Sequence, residues 1–127
     1  MRRWRARDTV AMVFVTAGVL HFAIPAPYIA IVPPWLPAAP TLVAVSGLAE
    51  IAGGIGVLDP RTKRLAGWGL IALLIAVFPA NVYMLQAAMA RGAHPAWVLA
   101  LWLRLPVQLL LVWWVWRVAA RAPKPAA

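Results

Sequence analysis

The sequence predicts an all-α fold: a four-transmembrane-helix bundle with both termini cytoplasmic and a proline-rich outer loop between its first two helices. Three observations predict it. Of 127 residues, 65% are hydrophobic and only 12% charged, a balance far outside that of soluble globular domains. The apolar residues gather into four runs, read as helices over about 8–24, 41–58, 65–88 and 96–117 of a single membrane domain spanning 1–127. Outside those runs Lys and Arg divide ten to one, with only Arg91 on the side opposite the termini. The positive-inside bias then places the termini in the cytoplasm.

The first run follows MRRWRARD, which holds four arginines. A charged start before an apolar segment mimics a signal peptide, but no small-x-small site precedes a polar mature segment, so the run is read as a retained helix. At about 1.5 Å per residue it is short for a ~30 Å hydrocarbon core and is expected to extend a turn into the arginine flank. Six prolines crowd residues 25–40, too many for a continuing helix. This stretch reads as an interfacial loop, with Tyr28 and Trp35 as headgroup-level anchors. The second helix carries Ser46, Gly47, Ala52, Gly53, Gly54 and Gly56, small residues that let helix backbones approach closely in lipid.

The polar turn DPRTKR makes the second and third helices antiparallel neighbours. Pro79 interrupts the third helix and removes its hydrogen bond to the Ile75 carbonyl. In MARGAHP, Gly92 is the expected C-cap, His94 a solvated loop residue and Pro95 a first-turn residue of the fourth helix. That helix contains Pro106, and the basic, proline-rich tail after Arg117 is expected to fray.

Composition narrows the function classes. A net charge of +9 would suggest nucleic acid in a soluble protein, but here the cations flank apolar runs, where they set topology and meet anionic lipid headgroups. With no Cys, disulfides, thiol relays and thiolate metal sites are excluded. One compact bundle leaves no separate catalytic domain, and no nucleophile with a base, metal cluster or phosphate loop points to catalysis by the isolated chain.

The informative residues are the polar ones inside the runs. Glu50 is a carboxylate in the middle of a membrane helix, rare enough to be read as a functional-site candidate with a partner. Arg104 is the partner this reading assigns. Counting at 1.5 Å per residue puts Glu50, Asn81 and Arg104 each roughly 12 to 14 Å from the outer helix ends, with His21 a turn from the end of the first helix. Gln108 sits one turn deeper than Arg104, while Tyr83 and Gln86 lie nearer the outer surface. An outer-half polar pocket formed by His21, Glu50, Asn81, Arg104, Gln108 and Tyr83, roofed by the proline-rich loop, is the resulting expectation. The Glu50 to Arg104 pair is either structural glue, a functional proton or headgroup site, or one half of a contact across a homodimer. Two histidines at different heights argue against haem or a metal.

The blocks GVLHFAIPAPY, VPPWLP, SGLAEIAGGIGVL, AGWGLIALLIAVFPANVYM and LWLRLPVQ, in that order over about residues 15 to 115, resemble the DoxX family of small four-helix membrane proteins. The resemblance implies a multi-pass protein of the plasma membrane and puts His21, Glu50, Asn81 and Arg104 on the family's recurring polar positions. Some members are associated with quinone-linked sulfur oxidation or with membrane complexes handling oxidative stress, and distant relatives act as assembly chaperones for receptor subunits. The absence of cysteine here sets aside a direct thiol-redox role.

Three functions follow as expectations. The first is an accessory subunit or binding protein that holds a quinone or lipid-like molecule in a redox-linked complex, polar groups gripping a carbonyl head and apolar walls a tail. The second is an assembly factor that docks a membrane-protein partner on a helix face. A small proton-coupled transporter fits less well, because the pocket opens outward only and the glutamate has an arginine available to neutralise it.

Overall fold

A computed structural model of the chain describes residues 3–123. Every element among them is helical: α1 (Ala6–Ala23), α2 (Pro25–Ala30), α3 (Ala39–Gly56), α4 (Lys63–Ala90) and α5 (Pro95–Val115), the last continuing into a π-helical turn at Trp116–Ala120. Four of the helices, counting α5 with its π-helical turn, are long and apolar enough to cross a membrane. Each differs from its expected span by a turn or less, and the differences have local causes. α1 begins at Ala6 because the Asp8 carboxylate accepts the Arg5 backbone N–H at 2.7 Å and closes the first turn. α4 reaches Ala90 and ends in a Schellman motif. There the Ala93 N–H bonds the Ala88 carbonyl and the Gly92 N–H that of Met89, with Gly92 at φ +67°. His94 is an exposed loop residue, as expected, and its Nδ1 accepts the Ala96 N–H at 3.1 Å, which caps α5.

The stretch expected to be loop contains α2. Pro25 and Pro27 occupy its first turn, where a missing N–H costs nothing, so proline density did not exclude a short helix. Ala38, which starts α3, holds a left-handed φ of 55°. Such a backbone strains any residue with a Cβ, and Ala38→Gly is expected to raise stability by about 1 kcal/mol, read as a higher thermal midpoint in detergent.

Helix order around the bundle is α1, α3, α4, α5. α1 packs along α3, α3 along α4 and α4 along α5, whereas α1 reaches the C-terminal segment through the π-helical turn and forms no comparable interface along α5. The α1 to α3 contact is the tightest. A Cβ on Gly18 would lie 2.6 Å from the Gly47 carbonyl oxygen, and one on Gly54 would lie 2.8 Å from Val15 and 3.1 Å from the Ala11 carbonyl.

A core of Val10, Phe14, Val57, Leu70, Leu74 and Val115 closes the bundle at the end where the termini lie. The first part of the tail belongs to it: Ala119 and Ala120 are buried against Gly67, and Arg64 Nε donates to the Ala120 carbonyl at 3.3 Å. Fraying was therefore the wrong expectation up to Ala120. Residues 1, 2 and 124–127 lie outside the described part.

Candidate functional site

Toward the end of the bundle away from the termini, the helices separate around a cavity of about 450 Å³, within the range of sites for small organic ligands. All four long helices contribute to its wall, and Tyr28, Pro33 and Leu36 of the proline-rich stretch close one side. Most of the lining is apolar, from residues such as Phe14, Val43, Val77 and Leu111. The polar lining is His21, Tyr28, Ser46, Glu50, Asn81, Arg104 and Gln108. Five of the six residues expected at this depth thus line one cavity.

Their pairing differs from the expectation. Glu50 and Arg104 make no ion pair. Instead Glu50 Oε2 lies 3.3 Å from His21 Nδ1. The cause is the α1 to α3 packing. Gly18 and His21 share one face of α1, Gly47, Glu50 and Gly54 share one face of α3, and the close approach of the glycines brings the two polar side chains together. α5 stands across the cavity, so Arg104 faces the same space without reaching the carboxylate.

His21 is held on two further sides. Its Nδ1 lies 2.8 Å from the Ala17 carbonyl oxygen, which can only accept, so Nδ1 carries a hydrogen. Its ring stacks on Tyr28, with centroids 4.1 Å apart and planes 22° from parallel. Tyr28 is therefore a site residue and not only a headgroup anchor. The one signal for it in the proline-dense stretch is Pro25-x-Pro27, which sets up a helical turn just after His21. Because the His21 hydrogen is directed to Ala17, Glu50 Oε2 is buried without a hydrogen-bond partner.

On the opposite wall, Asn81 Nδ2 donates to Gln108 Oε1, and Gln108 Nε2 donates to the Leu74 carbonyl. Both side chains are buried, at 7% and 5% exposure. The Leu74 carbonyl lies one residue before that of Ile75, which Pro79 deprives of a partner, so Gln108 supports α4 where its own hydrogen-bond ladder is weakened. Asn81 in turn braces Gln108.

Arg104 lines the cavity but is exposed, and its Nη1 lies 3.9 Å from Met84 Sδ. Tyr83 does not line the cavity. Two residues beyond Asn81, it points about 200° around the helix, to another face. Gln86 is exposed and also outside.

α1 and α5 form no interface along the cavity, which leaves a seam between them. Val13 of α1 and Val107 of α5 both line the cavity and both remain exposed, at 38% and 50%.

Comparison with known proteins returns one match. A family model described as a domain of unknown function (DUF8561) covers residues 10–119, which spans all four long helices. No curated protein matches the chain, and no solved structure matches it.

Proposed function

We propose, from the premise that the chain belongs to the DUF8561 family, that it is a membrane-embedded binding protein for a quinone or lipid-like molecule. In this reading it serves as an accessory subunit of a redox-linked complex. One observation carries the binding role: Glu50 Oε2 lacks a hydrogen-bond partner and Arg104 lacks a carboxylate, yet both line the same cavity. A buried polar atom left unsatisfied costs about 1–3 kcal/mol, so a molecule that supplies the missing partners is favoured there. The complementary molecule has an acceptor oxygen for the guanidinium, a hydroxyl for the carboxylate, and an apolar body for the remaining walls. A quinone with its quinol, or a lipid with carbonyl and hydroxyl groups, meets that description. The lateral seam supports entry from the bilayer.

The redox-linked setting and the plasma-membrane location rest on the resemblance to the DoxX family alone. The topology rests on charge: ten Lys and Arg flank the helices on the termini side against Arg91 on the other, which favours cytoplasmic termini and an outward cavity.

Purification in mild detergent, followed by mass spectrometry of the extracted lipids, tests the reading. The wild-type chain is expected to retain a quinone or lipid in stoichiometric amount. Glu50→Gln and Arg104→Leu should each lower retention roughly tenfold or more, since a hydrogen bond to a charged group contributes about 1.5–3 kcal/mol. Retention of nothing by the wild type, or unchanged retention in both variants, overturns it.

A further inference from the structure

The end of the bundle that holds the termini carries a second cleft, of about 550 Å³, with a different chemistry. Five cations line it: Arg5 and Arg7 at the start of α1, Lys63 at the start of α4, and Arg117 and Arg121 of the C-terminal segment. Trp113 and Trp114 form its apolar wall. No described acidic residue lines it, and none of the five cations makes an ion pair with a described residue. Asp8 lies nearby but is buried, with a carboxylate oxygen bonded to the Arg5 backbone N–H. We propose that this cleft binds the phosphate of an anionic phospholipid headgroup.

Several features mark it as a built site. Like charges gathered in a cleft repel one another, and an anion among them converts that repulsion into attraction. Arg7 Nε is buried without a hydrogen-bond partner, a donor already withdrawn from solvent and unused. Arg117 is held over the Trp113 ring, its guanidinium carbon 5.4 Å from the centroid, which limits the directions the head can take. The amino ends of α1 and α4 both face this region and add partial positive charge.

The π-helical turn explains how the C-terminal cations come to be there. π turns are rare and tend to mark functional positions. This one buries Ala119 and Ala120 on Gly67, where a Cβ would come within 2.9 Å of both residues, and Arg64 caps the Ala120 carbonyl. The docked turn thereby holds Arg117 and Arg121 beside Arg5, Arg7 and Lys63. A phospholipid is the occupant favoured over a soluble anion because the cleft sits at the ends of membrane-length helices, with Trp113 half exposed on its apolar side.

The test uses the full chain, delipidated in detergent and titrated with phosphatidylglycerol, phosphatidylcholine or inorganic phosphate, with bound molecules counted by native mass spectrometry. Phosphatidylglycerol is expected to bind at least about tenfold tighter than either of the others. Arg7→Gln combined with Arg117→Gln should weaken phosphatidylglycerol about thirtyfold, from roughly a fivefold loss per cation near an anionic surface, and leave phosphatidylcholine unchanged. Should that variant fail to fold, Arg121→Gln alone, at an exposed position, is expected to show roughly the fivefold loss. Arg61→Gln, at the same end but outside the cleft, should change little. An equal loss in Arg61→Gln would mean diffuse surface charge, and equal binding of inorganic phosphate would mean a free-phosphate site; either outcome overturns the proposal.

Discussion

Replacing Gly18 by valine is expected to cost the bundle about 3 kcal/mol and to pull His21 away from Glu50. The reason lies in which atoms stand in the way. A Cβ at Gly18 would meet the Gly47 carbonyl oxygen at 2.6 Å and the Ile51 backbone nitrogen at 3.0 Å, and backbone cannot rotate aside as a side chain can. The helices must separate, and the contact at 3.3 Å between His21 and Glu50, one turn further along, depends on their not doing so. Gly69 supplies the contrast, since nothing lies within 4 Å of a Cβ placed there. Gly69→Ala should therefore stabilise by up to about 1 kcal/mol through helix propensity. Thermal unfolding in detergent of Gly18→Ala, Gly18→Val, Gly69→Ala and Gly69→Val gives the comparison. If valine is no worse at 18 than at 69, the close helix crossing does not exist.

The second large effect is expected from Gln108→Leu, which leaves Asn81 Nδ2 without its partner and removes the side-chain bond to the Leu74 carbonyl, both at buried positions. Interhelical hydrogen bonds in membranes contribute about 0.6 kcal/mol on average and up to about 1.7, so two lost at once near a proline come to roughly 2 kcal/mol. Asn81→Leu should cost about half that, because the Gln108 to Leu74 bond survives. In the Gln108→Leu background the same substitution removes an orphaned amide and should cost nothing or restore some stability. A double-mutant cycle by thermal unfolding measures the coupling; strictly additive losses would rule out the relay.

Depth was legible in the sequence, and azimuth was not. Counting residues from helix ends placed Glu50, Asn81, Arg104 and Gln108 at levels where the structure brings them to one cavity, because a helix rises uniformly along its axis. Which side chain answers Glu50 depends on rotation about that axis and on which neighbour is nearest. Opposite charge suggested Arg104, yet the small residues beside Glu50 already favoured another answer. Gly18 and His21, like Gly47 and Glu50, are three apart, so a close glycine crossing carries the two polar side chains together. Tyr83 fails for the same reason in reverse, lying only two residues past Asn81 but on another face. The π-helical turn left no trace in composition, since WRVAAR resembles any basic helix end. Its position is decided by tertiary contacts with Gly67 and Arg64.

The open seam between α1 and α5 changes what affinity means for the upper cavity. An occupant arriving through it comes from the bilayer, so its unbound reference state is hydrocarbon and not water. Acyl chains solvate a tail about as well as Phe14, Val77 and Leu111 do, and transfer from one to the other yields little free energy. Discrimination then falls on the oxygen pattern of the head that meets Glu50 and Arg104. Occupancy follows the mole fraction of the molecule in the membrane, so compounds that share a head but differ in chain length should compete as near equals.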